Sequence, residues 1–142
     1  MKKKNVAHVA SKIIIDILII LGIVGVVTVP IWPRLNNMWY FTMALLMVTG
    51  AVGVYILITL RCMYKTLLSG NPFVESNVKA FFRMAVSCAV IAVCYIVKCF
   101  VVFSFGTAIV AIVFVIASLF CTTLGDLFRK AVEYKQENDW TV

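Results

Sequence analysis

Three ionisable side chains stand within or at the edge of long apolar runs: Asp16, Lys98 and Asp126. A charge in hydrocarbon is costly, so such residues are functional candidates by default, as proton carriers, ion ligands or paired counter-charges. Asp16 lies three residues inside the run Ile13 to Ile31, about 5 Å along a helix at 1.5 Å per residue. Lys12, four residues earlier, shares its helical face and can neutralise it locally. The alternative is that Asp16 faces a helix bundle and pairs with Arg61, Arg83 or Arg129. Lys98 lies five residues from the end of the run Ala85 to Phe103, close enough for its stem to carry the ammonium to the headgroups. Asp126 reads as an interfacial acid, one turn after Thr122 and Thr123 and three residues before Arg129. Asp16 and Asp126 share a membrane level and together would form a cation site. Asp16 and Lys98 sit at opposite ends and do not pair.

No catalytic constellation accompanies these charges. The one histidine, His8, belongs to a basic N-terminal arm, and the chain contains no GxSxG, HExxH or P-loop pattern and no paired mid-membrane carboxylates. Its five cysteines, Cys62, Cys88, Cys94, Cys99 and Cys121, show no CxxC or Cys/His spacing. Cysteines in apolar runs behave as small soft hydrophobes. The pattern argues against an enzyme and offers no metal, haem, nucleotide or other cofactor site.

The elements that position these residues follow from composition. Of 142 residues, 63% are apolar and 13% charged, with a mean hydropathy of +1.05; a soluble domain is about half apolar and about a quarter charged. Four apolar segments, about 13–31, 38–60, 85–103 and 107–128, are long enough to cross a hydrocarbon core of about 30 Å, which takes roughly 17 to 25 helical residues. Period-two alternation is absent, so helices rather than a barrel must satisfy the backbone. The expected fold is all-α: an integral membrane four-helix bundle forming one domain over 1–142, with a connector at 61–84 and a tail at 129–142. Pro30 and Pro33 end the first helix, and Ser104 to Gly106 makes a tight hairpin turn. Small residues at Gly22 and Gly25, Thr49 and Gly53, and Ala85 and Ala89 allow close helix approach. The first apolar run is too long for a signal peptide and lacks an A-x-A cleavage site, so a retained anchor is expected.

The net charge of +7 lies at the ends of apolar runs, unlike the clustered basic face of a nucleic-acid binder, so direct nucleic-acid binding is not expected. Eleven Lys and Arg fall on the side of the N-terminus, middle connector and C-terminus, against Arg34 and Lys98 on the other. By the positive-inside rule this multi-pass cell-membrane protein has both termini in the cytoplasm. Trp32, Trp39 and Tyr40 then belong to the outer aromatic belt.

The polar stretch LLSGNPFVESNVKAFFR, Leu67 to Arg83, interrupts this pattern. Arg61 to Leu68 prolongs the second helix, and Ser69 and Gly70 end it. Asn71 and Pro72 then read as a helix cap and first turn. Phe73, Val74, Val78, Phe81 and Phe82 form an apolar stripe, on an interfacial helix or an early start of the third span, with Glu75, Asn77 and Lys79 around it. The stretch is either a loop that orients the hairpin or a docking surface. The tail DLFRKAVEYKQENDWTV continues the fourth helix, with Arg129 and Glu133 spaced to pair. Trp140 near its end folds onto headgroups or binds protein.

GNPFVESNVKAFFRMA at Gly70 to Ala85, IVFVIASLF at Ile112 to Phe120 and AVEYKQENDWTV at Ala131 to Val142 resemble the YoaS-like family (domain of unknown function 2975), small bacterial four-helix membrane proteins. The resemblance covers most of the chain from about Ser69 onward. The tail is its most specific part: family members read like YKEENDLTI there, and Trp140 stands where Leu is usual. Members are often encoded beside a small helix-turn-helix transcriptional regulator, so the resemblance implies such a partner. The expected function is a non-enzymatic sensor or tether, anchored in the lipid bilayer. Phe73, Glu75 and Asn77 in the connector and Tyr134, Glu137 and Trp140 in the tail would hold the cytoplasmic regulator; an acidic tail end suits a basic surface. The alternatives are a small secondary transporter or exporter centred on Asp16, and an accessory subunit of a larger complex. A homo-oligomer is compatible with either.

Overall fold

Within apolar runs that carry few helix breakers, the backbone satisfies its own hydrogen bonds, and each of the four runs is helical. The computed structural model describes residues 2–31 and 38–141, with side chains from residue 9 onward. Trp32, Pro33, Arg34 and Val142, and the side chains of Lys2, Lys3, Lys4 and His8, lie outside the described residues. Helix α1 (Lys2–Thr28) runs into a 3-10 turn (Val29–Ile31), as the proline at position 30 requires, and is followed by α2 (Trp39–Leu68), α3 (Glu75–Val101) and α4 (Phe105–Trp140). All four helices are long and apolar enough to cross a membrane. Each continues beyond its apolar run, so only residues 69–74 of the expected 61–84 connector are non-helical. Large apolar side chains point outward along the helices, Phe100 at 88% and Phe105 at 80% exposure among them, which suits lipid and not water as the surrounding solvent.

The chain divides into two compact units, residues 1–61 and 62–142. In the first, Asp16 meets Arg61, Gly22 meets Val54 and Val26 meets Gly50. The partners run in opposite directions along the chain, so α1 and α2 are antiparallel. Gly22 lies in contact as expected, but Gly25 and Gly53 do not, and on α2 the glycine in contact is Gly50. A methyl group on Gly50 would lie 2.6 Å from Val26 Cγ2, and one on Gly22 would lie 3.0 Å from Val54 Cγ2, whereas Gly25 and Gly53 have nothing within 4 Å. Spacing alone identifies small residues, but the rotation of the helix decides which of them face the neighbour. Val26 is β-branched and stiff at χ1, so it cannot swing aside cheaply. Gly50→Ala is therefore expected to cost about 1 kcal/mol or more through overpacking. Gly53→Ala on the same helix should be neutral or slightly stabilising, because alanine is the better helix former. Unfolding midpoints of the two variants in mixed detergent micelles check this.

The second unit is an antiparallel hairpin of α3 and α4. Its turn is Val102 to Ser104, slightly earlier than Ser104 to Gly106: Val102 N–H bonds the Lys98 carbonyl, Ser104 is the N-cap residue and Gly106 is already helical. The Thr107 hydroxyl donates to the Ser104 carbonyl at 2.7 Å. Small side chains line the seam, with Ala85, Cys88, Ala92, Ala111, Cys121 and Gly125 all buried. Ser118 Oγ crosses it to donate to the Ala85 carbonyl at 2.9 Å.

Candidate docking site at the basic end of the hairpin

The connector is built by tight local bonding. Helix α2 stops where Gly70 takes a left-handed φ of +85°, a conformation glycine adopts without a Cβ clash. Asn71 and Pro72 do not start α3. Its N-cap residue is Val74, in an extended conformation with no side-chain cap bond, and the helix begins at Glu75. The early start of the third span is thus the observed form, a few residues later than the Asn-Pro signal suggests. The reason lies in where the polar groups go. Asn71 Oδ1 accepts a 2.6 Å hydrogen bond from Lys135 Nζ of α4, so Asn71 is drawn to a neighbouring helix and not to the amides of its own. The Pro72 carbonyl accepts from Val74 N–H at 3.1 Å and from the Asn77 side-chain amide at 2.8 Å. Asn77 is only 2% exposed, so it braces the connector from inside and does not belong to an exposed face.

Aromatic packing fastens this turn to α4. The Phe128 ring contacts Phe73 at a centroid distance of 5.5 Å and Phe81 at 4.9 Å, in tilted geometries typical of stabilising pairs. One turn earlier on α4, Gly125 leaves room for Phe81 and Phe82; a methyl there would lie 3.3 Å from the Phe82 ring. Phe73 therefore spends one side of its ring on Phe128 and remains 42% exposed on the other. Glu75 is exposed and pairs with Lys79 at 2.9 Å.

Beyond Phe128, α4 continues as a charged helix. Arg129 and Glu133 pair at 3.4 Å. Glu133, Gln136, Glu137, Trp140 and Thr141 line an open groove, and the Thr141 hydroxyl closes the helix end by donating to the carbonyls of Glu137 and Asn138. Trp140 is 89% and Tyr134 72% exposed. Of the six candidate docking residues, Glu137 and Trp140 thus share one surface, Phe73 and Asn77 belong to the connector's packing, and Glu75 and Tyr134 stand out into solvent. Phe128 and Phe73 mark the connector, and Trp140 lies twelve residues further along α4, about 18 Å by helical rise.

The three charges separate into different roles. Asp16 pairs with Arg61, with Nε 2.9 Å from Oδ1 and Nη2 3.3 Å from Oδ2. Oδ1 is occluded and has no aligned hydrogen bond despite that short approach, so the attraction there is coulombic. Lys98 sits in the last turn of α3, where a cation complements the negative end of the helix dipole. Asp126 is exposed on α4 and forms no ion pair among the described residues. No group of three or more His, Cys, Asp or Glu side chains gathers as a metal site among the described residues.

Sequence reasoning missed Gly125, Phe128 and the Asn71–Lys135 bond. Gly125 facing two phenylalanines of the preceding helix is a signal that a hairpin register could have yielded; a bond between residues 64 positions apart leaves none.

These features define an all-helical membrane protein, with four helices long and apolar enough to span the bilayer and a helical extension at the basic end of its α3–α4 hairpin. The chain belongs to the family described as protein of unknown function DUF2975, whose model matches residues 21–142. That match reaches back into α1, further than the connector and tail motifs. No curated protein and no solved structure matches the chain.

Proposed function

We propose that this protein is a non-enzymatic tether or sensor in the cell membrane, with both termini cytoplasmic, which holds a cytoplasmic regulator on the extension of α4 and the adjoining connector. The observation that supports this most directly is the length of α4. Its 36 residues rise about 54 Å against a hydrocarbon core of about 30 Å, and the surplus carries exposed Tyr134 and Trp140 beside Glu133 and Glu137. Exposed aromatics next to acids suit a partner with a basic surface. The span of about 18 Å from Phe128 at the connector to Trp140 is within the reach of one small domain. The family resemblance supports a small helix-turn-helix regulator as that partner. Asp16, already ion-paired, is a weaker basis for proton-coupled export.

The test is in-cell photo-crosslinking from position 140, with position 73 as a second probe. Capture of one cytoplasmic protein, lost when residues 129–142 are removed, is the expected result. Capture of lipid alone from both positions would return the tail and connector to membrane-surface structure.

A further inference from the structure

Helix α3 has two faces of different kind. One is buried in the hairpin seam, through Ala85, Cys88 and Ala92. The other carries Lys79, Arg83, Val86, Val90, Val93 and Val97, spaced alternately four and three residues apart, so that they form one line along the helix. The four valines are 43% to 65% exposed. Their branched side chains are stiff at χ1, which makes the line a smooth apolar surface. Val86 to Val97 is a step of eleven residues, about 17 Å of helical rise and close to half of a hydrocarbon core of about 30 Å. That is the depth of one leaflet.

The polar end of the line holds a cation with nothing to bind. Among the described residues Arg61, Lys79 and Arg129 each pair with a carboxylate, and Lys135 donates to an amide oxygen. Arg83 is exposed and makes neither an ion pair nor a hydrogen bond there. It stands two residues before the apolar run that begins at Ala85, about 3 Å outside it, at the level of the lipid headgroups. We propose that this face of α3 is a binding site for an anionic phospholipid, with the headgroup phosphate on Arg83 and an acyl chain along the four valines. A guanidinium presents a planar fork that matches phosphate oxygens in pairs, and Lys79, one turn further out, adds positive potential that Glu75 only partly offsets. The apolar line selects a lipid over free phosphate. A second copy in the same orientation fits less well, because a two-fold contact on this face sets Arg83 against Arg83 at one level. The site lies on α3 and does not depend on what docks at α4.

The experiment places the full-length protein in mild detergent with equimolar phosphatidylglycerol and phosphatidylcholine and counts retained lipids by native mass spectrometry. Phosphatidylglycerol should be retained in preference. Arg83→Ala should lower that preference about fivefold, the ratio for one cation at an anionic headgroup surface. Arg83→Lys should lower it less, and Lys130→Ala, which removes another exposed cation on α4, should leave it unchanged. In nanodiscs, phosphatidylglycerol with a diazirine in its acyl chain should label the tryptic peptide from Met84 to Lys98, which holds all four valines. Equal retention of the two lipids would overturn the proposal, as would equal losses from Arg83→Ala and Lys130→Ala. Labelling spread evenly over the four helices, or α3 cross-linked to α3 of a second copy, would do the same.

Discussion

Arg61→Ala is expected to destabilise the packing of α1 on α2 by about 2 kcal/mol, and Asp16→Asn by less than half of that. The asymmetry comes from the two side chains. Without Arg61, the Asp16 carboxylate stays within an apolar helix with one oxygen occluded, and its short stem cannot carry it to water. A charge at the centre of a spanning helix costs about 2.5–3.5 kcal/mol; Asp16 lies nearer the end, so the smaller figure applies. Without Asp16, the Arg61 guanidinium, already 53% exposed, can snorkel along its own stem to the headgroups. The double variant should therefore be more stable than Arg61→Ala alone, since removing the orphaned acid relieves the cost of leaving it unpaired. Arg61→Lys should retain most of the stability, because a point charge suffices where the hydrogen-bond alignment is poor. Unfolding in mixed micelles, followed by circular dichroism over all four variants, measures the cycle. Equal losses from the two single substitutions would contradict this account of the pair.

Phe128→Ala is the second large effect, about 2 kcal/mol. Full burial of a phenylalanine makes its loss worth about 3–5 kcal/mol; Phe128 is half-buried, and the estimate is reduced accordingly. What distinguishes it from an ordinary packing defect is where the loosening appears. The ring holds Phe73 and Phe81 together, so its removal should free residues 69–74 before the hairpin itself gives way. Backbone amide exchange at Val74 and Asn77, which bond within the connector, should accelerate while exchange around Cys88 and Ala92 is unchanged. Phe128→Leu should restore part of the protection by volume alone. Uniform acceleration along α3 would assign the ring to the hairpin as a whole.

The helices and the stop at Gly70 were legible because they depend on local properties: apolar run length, a missing Cβ and a ring that cannot donate. The Arg129–Glu133 pair was read from the four-residue spacing of a helix, and the Glu75–Lys79 pair, which was not, obeys the same rule. The Asp16 partner was narrowed to a few cations but not chosen, since helix order does not fix register. Asn71 was misassigned for the same reason. Its local capping preference was outweighed by a lysine on α4, 64 residues away, and no local rule registers that competitor. Glycine spacing on α1 and α2 likewise identified small residues without revealing which way the helices turn them. The candidate site was legible as composition, in the aromatics and acids of the connector and tail. Its division into a packed connector and an exposed groove required the hairpin.

Helix α4 is one unbroken element from Phe105 to Trp140, and a rod without a joint is a lever. A tilt of about 10° pivoting near Phe128 displaces Trp140, about 18 Å further along, by about 3 Å. The connector grips the rod close to that pivot, at Phe128 and again at Lys135, about two turns beyond it. A change in the tilt of α4 would therefore reach Trp140 as translation, without any local unfolding.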